Sequence, residues 1–160
     1  MILFLLRHAH AGDPAKWAGE DDLRPLSARG RAQAERLGRL LAAAGEAPDL
    51  FIASPRTRAL ETAELVAAEV AAPVIVESRL AGGLDAAIVD AILRAVGPAR
   101  RPCLVGHDPD FSELLGELVG LDAIPMRKGA IARVDLDGDA VTAGAGVLRF
   151  LLPPDLVPER

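Results

Sequence analysis

Residues 1–10 read MILFLLRHAH: an unbroken apolar run, Ile2 to Leu6, that ends on Arg7 and His8. A continuous run of this length fits a strand covered on both faces, as in a parallel sheet, because a half-exposed strand would alternate. In open α/β sheets ligands collect just outside the carboxyl ends of such strands, so Arg7 and His8 stand where a site is expected.

Beyond this strand, Ala11 to Pro25 is a polar loop with Pro14 and Gly19 as breakers, long enough to fold over the strand end. Ser27 is placed to cap a helix over Ala28 to Ala44, whose apolar positions Ala34, Leu37, Leu40 and Leu41 recur at helical spacing, and Gly45 stops it. Asp49 to Ala53 reads as a second buried strand. Ser54 and Pro55 then predict an N-cap and first helical residue for a helix ending near Ala71, with Arg56 and Arg58 in its first turn. Cations there oppose the helix macrodipole and are locally unfavourable unless they bind an anion.

Pro73 to Val76 is a third apolar run, and Asp85 caps a helix that Gly97 and Pro98 end. Pro102 to Gly106 is a fourth buried strand followed at once by His107, and Asp108 with Pro109 repeats the cap-then-proline device for a helix to about Val119. Two last strands, Ala130 to Leu136 and Gly146 to Leu152, are joined across a turn at Asp137 to Asp139, and the tail PPDLVPER reads as irregular. This alternation predicts a three-layer α/β/α sandwich on a mainly parallel sheet, one domain over residues 1–160, finished by a hairpin-like pair.

About half of the chain is hydrophobic (51%), so core burial is not limiting, and the net charge of −5 argues against broad binding to nucleic acid or an anionic membrane. Cys103 is the sole cysteine; it excludes an internal disulfide, reads as inert core, and suits a reducing cytoplasm. The N-terminal apolar run ends too soon, at Arg7, for a signal peptide or for the roughly 20 residues of a membrane span. A soluble cytoplasmic protein is the expectation.

Three strand ends deliver Arg7 with His8, Ser54 with Arg56 and Arg58, and His107, and in a parallel sheet they share one edge. Arginine forks suit the tetrahedral oxygens of a phosphate. No G-x-x-x-x-G-K-[ST] or G-x-G-x-x-G pattern occurs, and metal ligation is poorly supported, because there is no H-x-x-x-H or cysteine pair. A histidine beside arginines can act as a nucleophile towards phosphorus.

Strand-R-H at the N-terminus, R-P-L-S-x-x-G at Arg24 to Gly30, S-P-x-x-R-A at Ser54 to Ala59 and V-G-H at Val105 to His107 together resemble the histidine phosphatase, or phosphoglycerate mutase-like, superfamily. R-H-A (Arg7, His8, Ala9), R-P-L and the short chain look most like its SixA branch of phosphohistidine phosphatases. The resemblance implies that His8 is the nucleophile and becomes a phosphohistidine, that Arg7 and Arg58 hold the phosphoryl oxygens, and that His107 completes the pocket and stabilises transition-state charge. It implies no metal and no organic cofactor. Asp21, three before Arg24 as in SixA-like chains, is placed to pair with that arginine.

The expected substrate is phosphohistidine on a carrier protein; a small phosphoester is the alternative, and a non-catalytic phosphate-binding module a third. Larger members place a glutamate acid after the third strand, where this chain reads SRLAGGLDAA, flanked by Glu77 and Asp85 out of the expected context. The acid is therefore unassigned, which favours phosphohistidine, whose leaving imidazole can take a proton on its own nitrogen. His10 reads as a loop or rim residue and Trp17 as a loop anchor.

Overall fold

The computed structural model describes residues 1–159. It holds β1 (Ile2–Arg7), α1 (Ala28–Ala44), β2 (Leu50–Ala53), α2 (Thr57–Val70), β3 (Val74–Val76), α3 (Ala86–Val96), β4 (Pro102–Gly106), α4 (Asp110–Val119), β5 (Ile131–Leu136) and β6 (Gly146–Leu152). The strands form one six-stranded sheet in the order β3-β2-β4-β1-β5-β6. Neighbouring strands from β3 to β1 are parallel, and β5 runs antiparallel to both β1 and β6. Among the described residues no helix is long and apolar enough to cross a membrane.

The apolar run of β1 is the centre of the molecule, with Leu3 to Leu6 fully buried. Successive side chains point to opposite faces: Leu3 and Leu5 join Val89, Ile92, Leu114 and Leu115 beneath α3 and α4. Phe4 and Leu6 join Leu37, Leu41, Ala63 and Val66 beneath α1 and α2. This double burial is why the run does not alternate and why the architecture has three layers.

Helix ends follow the local signals wherever nothing distant competes. Ser27 accepts from the Gly30 N–H at 3.1 Å, and Gly45 closes α1 in the left-handed region at φ 68°. Asp85 likewise accepts from the Ile88 N–H at 2.8 Å at the head of α3. Gly38 of α1 lets the two helices of one layer meet, since a Cβ there would come within 2.7 Å of Glu69 of α2.

Three expectations require correction. Ser54 does not cap α2: the helix begins at Thr57, Arg56 is its N-cap residue without a side-chain cap, and Ser54 is still in the sheet ladder, its N–H donating to Val105 O at 2.9 Å. At α4 the N-cap position falls to Pro109, while Asp108 reaches past it to accept from Ser112 N–H and Oγ–H. The tail is not wholly irregular, because Pro154 to Leu156 form a 3-10 turn and Val157 packs into the core beside Phe4 and Leu37.

Candidate active site

The parallel ladder carries the candidate residues to one edge. Arg7 pairs with Gly106 and Ala53 with Val105, and the His8 N–H continues the ladder to Gly106 O at 2.9 Å. His8, Ser54 and His107 are thus the first residues beyond β1, β2 and β4. Gly106 is required by close packing, because a Cβ would come within 2.6 Å of the Phe111 ring.

The two histidines are buried, with ring centroids 5.4 Å apart. Nδ1 of His8 lies 2.8 Å from Ala9 O. A carbonyl only accepts, so Nδ1 carries the proton and Nε2 keeps its lone pair. Burial, reinforced by His107, Arg58 and Arg7, lowers the His8 pKa to about 3 against the opposing pull of the Ala9 carbonyl. Burial and then Arg56 and Arg58 lower that of His107 to about 3 as well. Both rings are therefore neutral near pH 7. His107 Nε2 is 2.7 Å from Ser54 Oγ.

Each arginine is held from behind. Arg7 donates to Met126 O at 2.7 Å and lies 3.5 Å from Asp108. Arg58 donates to Asp21 twice, to its carbonyl at 2.8 Å and its carboxylate at 3.0 Å. Arg24 donates to the other Asp21 oxygen at 3.1 Å and to Ala11 O at 2.6 Å. Arg56, outside the predicted set, is 3.0 Å from Asp22. Preorganised cations beside a neutral imidazole can bind a phosphoryl group and stabilise the charge it develops in transfer.

All four predicted residues, Arg7, His8, Arg58 and His107, meet at this edge. The pairing of Asp21 with Arg24 is present, but Asp21 also takes Arg58, which sequence spacing does not announce. Thr62 is another residue the sequence reading missed: its hydroxyl accepts from Ala9 N–H at 3.1 Å and donates to Arg58 O at 2.7 Å, tying the residue after His8 to the arginine helix. Its position one turn after Arg58 is the signal that could have found it. Lys128 is a third; burial and then Arg7, Arg24 and Arg58 lower its pKa, with Asp13 opposing.

The remaining candidates have structural partners. Glu77 is bound by Arg79 at 2.8 and 2.9 Å, which lowers its pKa to about 2, and Asp85 caps α3. His10 Nδ1 is 2.6 Å from Ser27 Oγ, at the head of α1. Trp17 braces the polar loop by donating to Glu20 O at 2.9 Å. Cys103 is buried in β4, and burial pushes its thiol pKa up. Ala9 has no positive φ, so alanine in place of glycine after His8 carries no backbone strain.

Comparison with known proteins follows the same lines. The family model described as histidine phosphatase superfamily (branch 1) matches residues 3–82. An uncharacterized protein of a Picosynechococcus species is 33% identical over 116 residues, 71% of this chain and 70% of that protein. The structure of the protein histidine phosphatase SixA complexed with tungstate aligns with TM-score 0.84 and 26% identity over 99% of this chain and 100% of that one. A candidate SixA from Nakamurella multipartitia aligns with TM-score 0.78 and 27% identity, covering 96% and 95% of the two chains. The alpha-ribazole phosphatase of Shigella flexneri shares the fold, with TM-score 0.72 at 20% identity over 96% of this chain and 97% of that one.

Proposed function

The chain belongs to the histidine phosphatase superfamily, and from that premise we propose that it hydrolyses phosphohistidine on a carrier protein through a phosphorylated His8. The whole chain acts as one such domain. The observation that carries this reading is the state of His8: Nδ1–H committed to Ala9 O and Nε2 unprotonated, beside Arg7 and Arg58.

In the first step the Nε2 lone pair of His8 forms a bond to phosphorus as the bond from phosphorus to the substrate imidazole breaks. The electron pair leaves with that ring, which departs as neutral imidazole when its other nitrogen holds a proton. Arg7, Arg58 and His107 bind the phosphoryl oxygens, whose charge is spread in the transition state. Water then attacks the phosphorylated His8, releasing phosphate and returning the lone pair to Nε2. No enzyme acid is needed for such a leaving group, in keeping with Glu77 bound to Arg79 and Asp85 serving as a cap. An alkoxide leaving group would forgo the roughly 10²–10⁴-fold that a positioned acid supplies.

The test is phosphate release, with chelator present, from a phosphohistidine-bearing carrier protein and from an aryl phosphate, for the wild type and His8→Ala. Faster release from the protein, abolished in the variant, is expected. Turnover of small esters alone would replace the substrate by a small phosphoester, and silence on both with phosphate still bound would leave only a binding module.

A further inference from the structure

We infer that Ser54 is a positioning residue that fixes the tautomer of His107, holding its proton on Nδ1 so that this N–H, and not Nε2, is offered to the anion. The ligand half of this inference rests on the phosphoryl-transfer reading above; the tautomer half does not.

The inference comes from counting donors and acceptors. Ser54 is fully buried, and its hydroxyl has one proton to give and lone pairs to receive. Among the described residues Ser54 Oγ has two partners: the Arg56 N–H at 3.3 Å and His107 Nε2 at 2.7 Å. The Arg56 N–H can only donate. The sole acceptor for the serine proton is therefore the Nε2 lone pair, and a neutral ring with a bare Nε2 carries its hydrogen on Nδ1. His107 Nδ1 is itself buried and without a hydrogen-bond partner among the described residues.

The opposite tautomer satisfies less. Were Nε2–H to donate to Ser54, the serine proton would be left buried with no acceptor, and Nδ1 would present a lone pair. A bound oxyanion would then face lone pair against lone pair. With the proton on Nδ1, an anion completes the set: Arg56 N–H to Ser54, Ser54 O–H to Nε2, Nδ1–H to the phosphoryl oxygen. Buried polar groups in native proteins are overwhelmingly paired, so an orphan donor amid Arg7, Arg56 and Arg58 marks the position of an acceptor that arrives with substrate.

The experiment is long-range ¹H–¹⁵N correlation on the full chain labelled with ¹⁵N-histidine, near pH 7.5. The three histidines are assigned with His8→Ala and His10→Ala. His107 is expected to show a protonated Nδ1 and an unprotonated Nε2; the reverse pattern in the wild type overturns the inference outright, whatever the enzyme's substrate. Added tungstate or orthophosphate is expected to shift the Nδ1–H resonance downfield, and a resonance that does not move while the anion binds overturns the assignment of Nδ1 to the ligand. Ser54→Ala is expected to move the proton wholly or partly to Nε2 and to lower kcat by about tenfold or more, short of the roughly 10²–10³ for deleting a transition-state donor. Ser54→Thr keeps the hydroxyl and is expected to restore the wild-type tautomer. Retention of Nδ1–H in a folded Ser54→Ala variant would remove Ser54 from the role. If that variant does not fold, the wild-type spectrum still decides, and a substrate failure in the phosphate-release assay would leave the tautomer result standing.

Discussion

Asp21 holds Arg58 by two hydrogen bonds, one to its backbone and one to its side chain: its carbonyl accepts at 2.8 Å and its carboxylate at 3.0 Å. The same carboxylate accepts from Arg24 at 3.1 Å, so a single loop residue fixes the direction of a buried guanidinium at the head of α2. Arg24, whose hydrogen bond lowers the Asp21 pKa, keeps that carboxylate ionised.

Asp21→Ala should therefore loosen Arg58 without removing it. Misplacement of a positioning group by about 1 Å costs up to roughly 10²-fold in rate, and we expect kcat on a phosphohistidine carrier to fall by about 10–10²-fold. Steady-state kinetics on the carrier protein checks this; unchanged kcat would show that Arg58 is held without Asp21.

The buried histidines set the pH behaviour. With native values near 3 against the ordinary 6.5, the unfolded chain takes up protons below pH 6.5 that the native chain refuses. Stability is thus intact above pH 6.5 and is lost as pH falls towards 3, with a limiting slope of about 1.4 kcal/mol per pH unit for each ring. Urea midpoints at pH 7.5 and 5 should fall accordingly. The ring ¹³C resonances of His8 and His107 should stay flat between pH 8 and 5; titration of either near 6.5 would contradict neutral burial.

Gly30, the glycine of R-P-L-S-x-x-G, is a packing residue. A Cβ at this position would overlap the His10 carbonyl oxygen, which itself accepts from Ser27 N–H at 3.0 Å. Overpacking of this kind costs about 1–3 kcal/mol. Gly30→Ala should lower the chemical-denaturation midpoint by a corresponding amount, whereas a neutral result would mean that α1 can slide off the loop after β1.

Lys128 is the half-buried cation of the site without an ion-pair partner within 4.0 Å among the described residues, while Arg7, Arg24, Arg56 and Arg58 are each paired. It is carried beside Gly129, whose N–H donates to both Arg7 O and His8 O. Removing its charge should weaken binding of inorganic phosphate by ~1 kcal/mol, roughly fivefold. Calorimetry of Lys128→Met at low and high salt tests this, with the difference shrinking as salt rises.

Sequence alone determined what local chemistry controls. The apolar run of β1 demands burial on both faces; Ser27 with Gly45, and Asp85 with Gly97, bound α1 and α3 through hydrogen bonds and turns spanning only a few residues. Parallel strands then oblige Arg7, His8, Arg58 and His107 to share an edge. Tertiary structure alone decided what each side chain does there. Ser54 has a good capping side chain and a proline after it, yet its N–H stays in the sheet ladder to Val105 O and its hydroxyl meets His107 from another strand. Asp21 answers Arg24 three residues away, but its hold on Arg58 depends on the loop folding back across the edge. Val157 enters the core although its tail reads as irregular, because the sheet face beside β5 and β6 offers apolar cover. Such pairings join groups tens of residues apart, and a hydrogen-bonding side chain takes the partner that folding brings to it rather than the one its neighbours in sequence suggest.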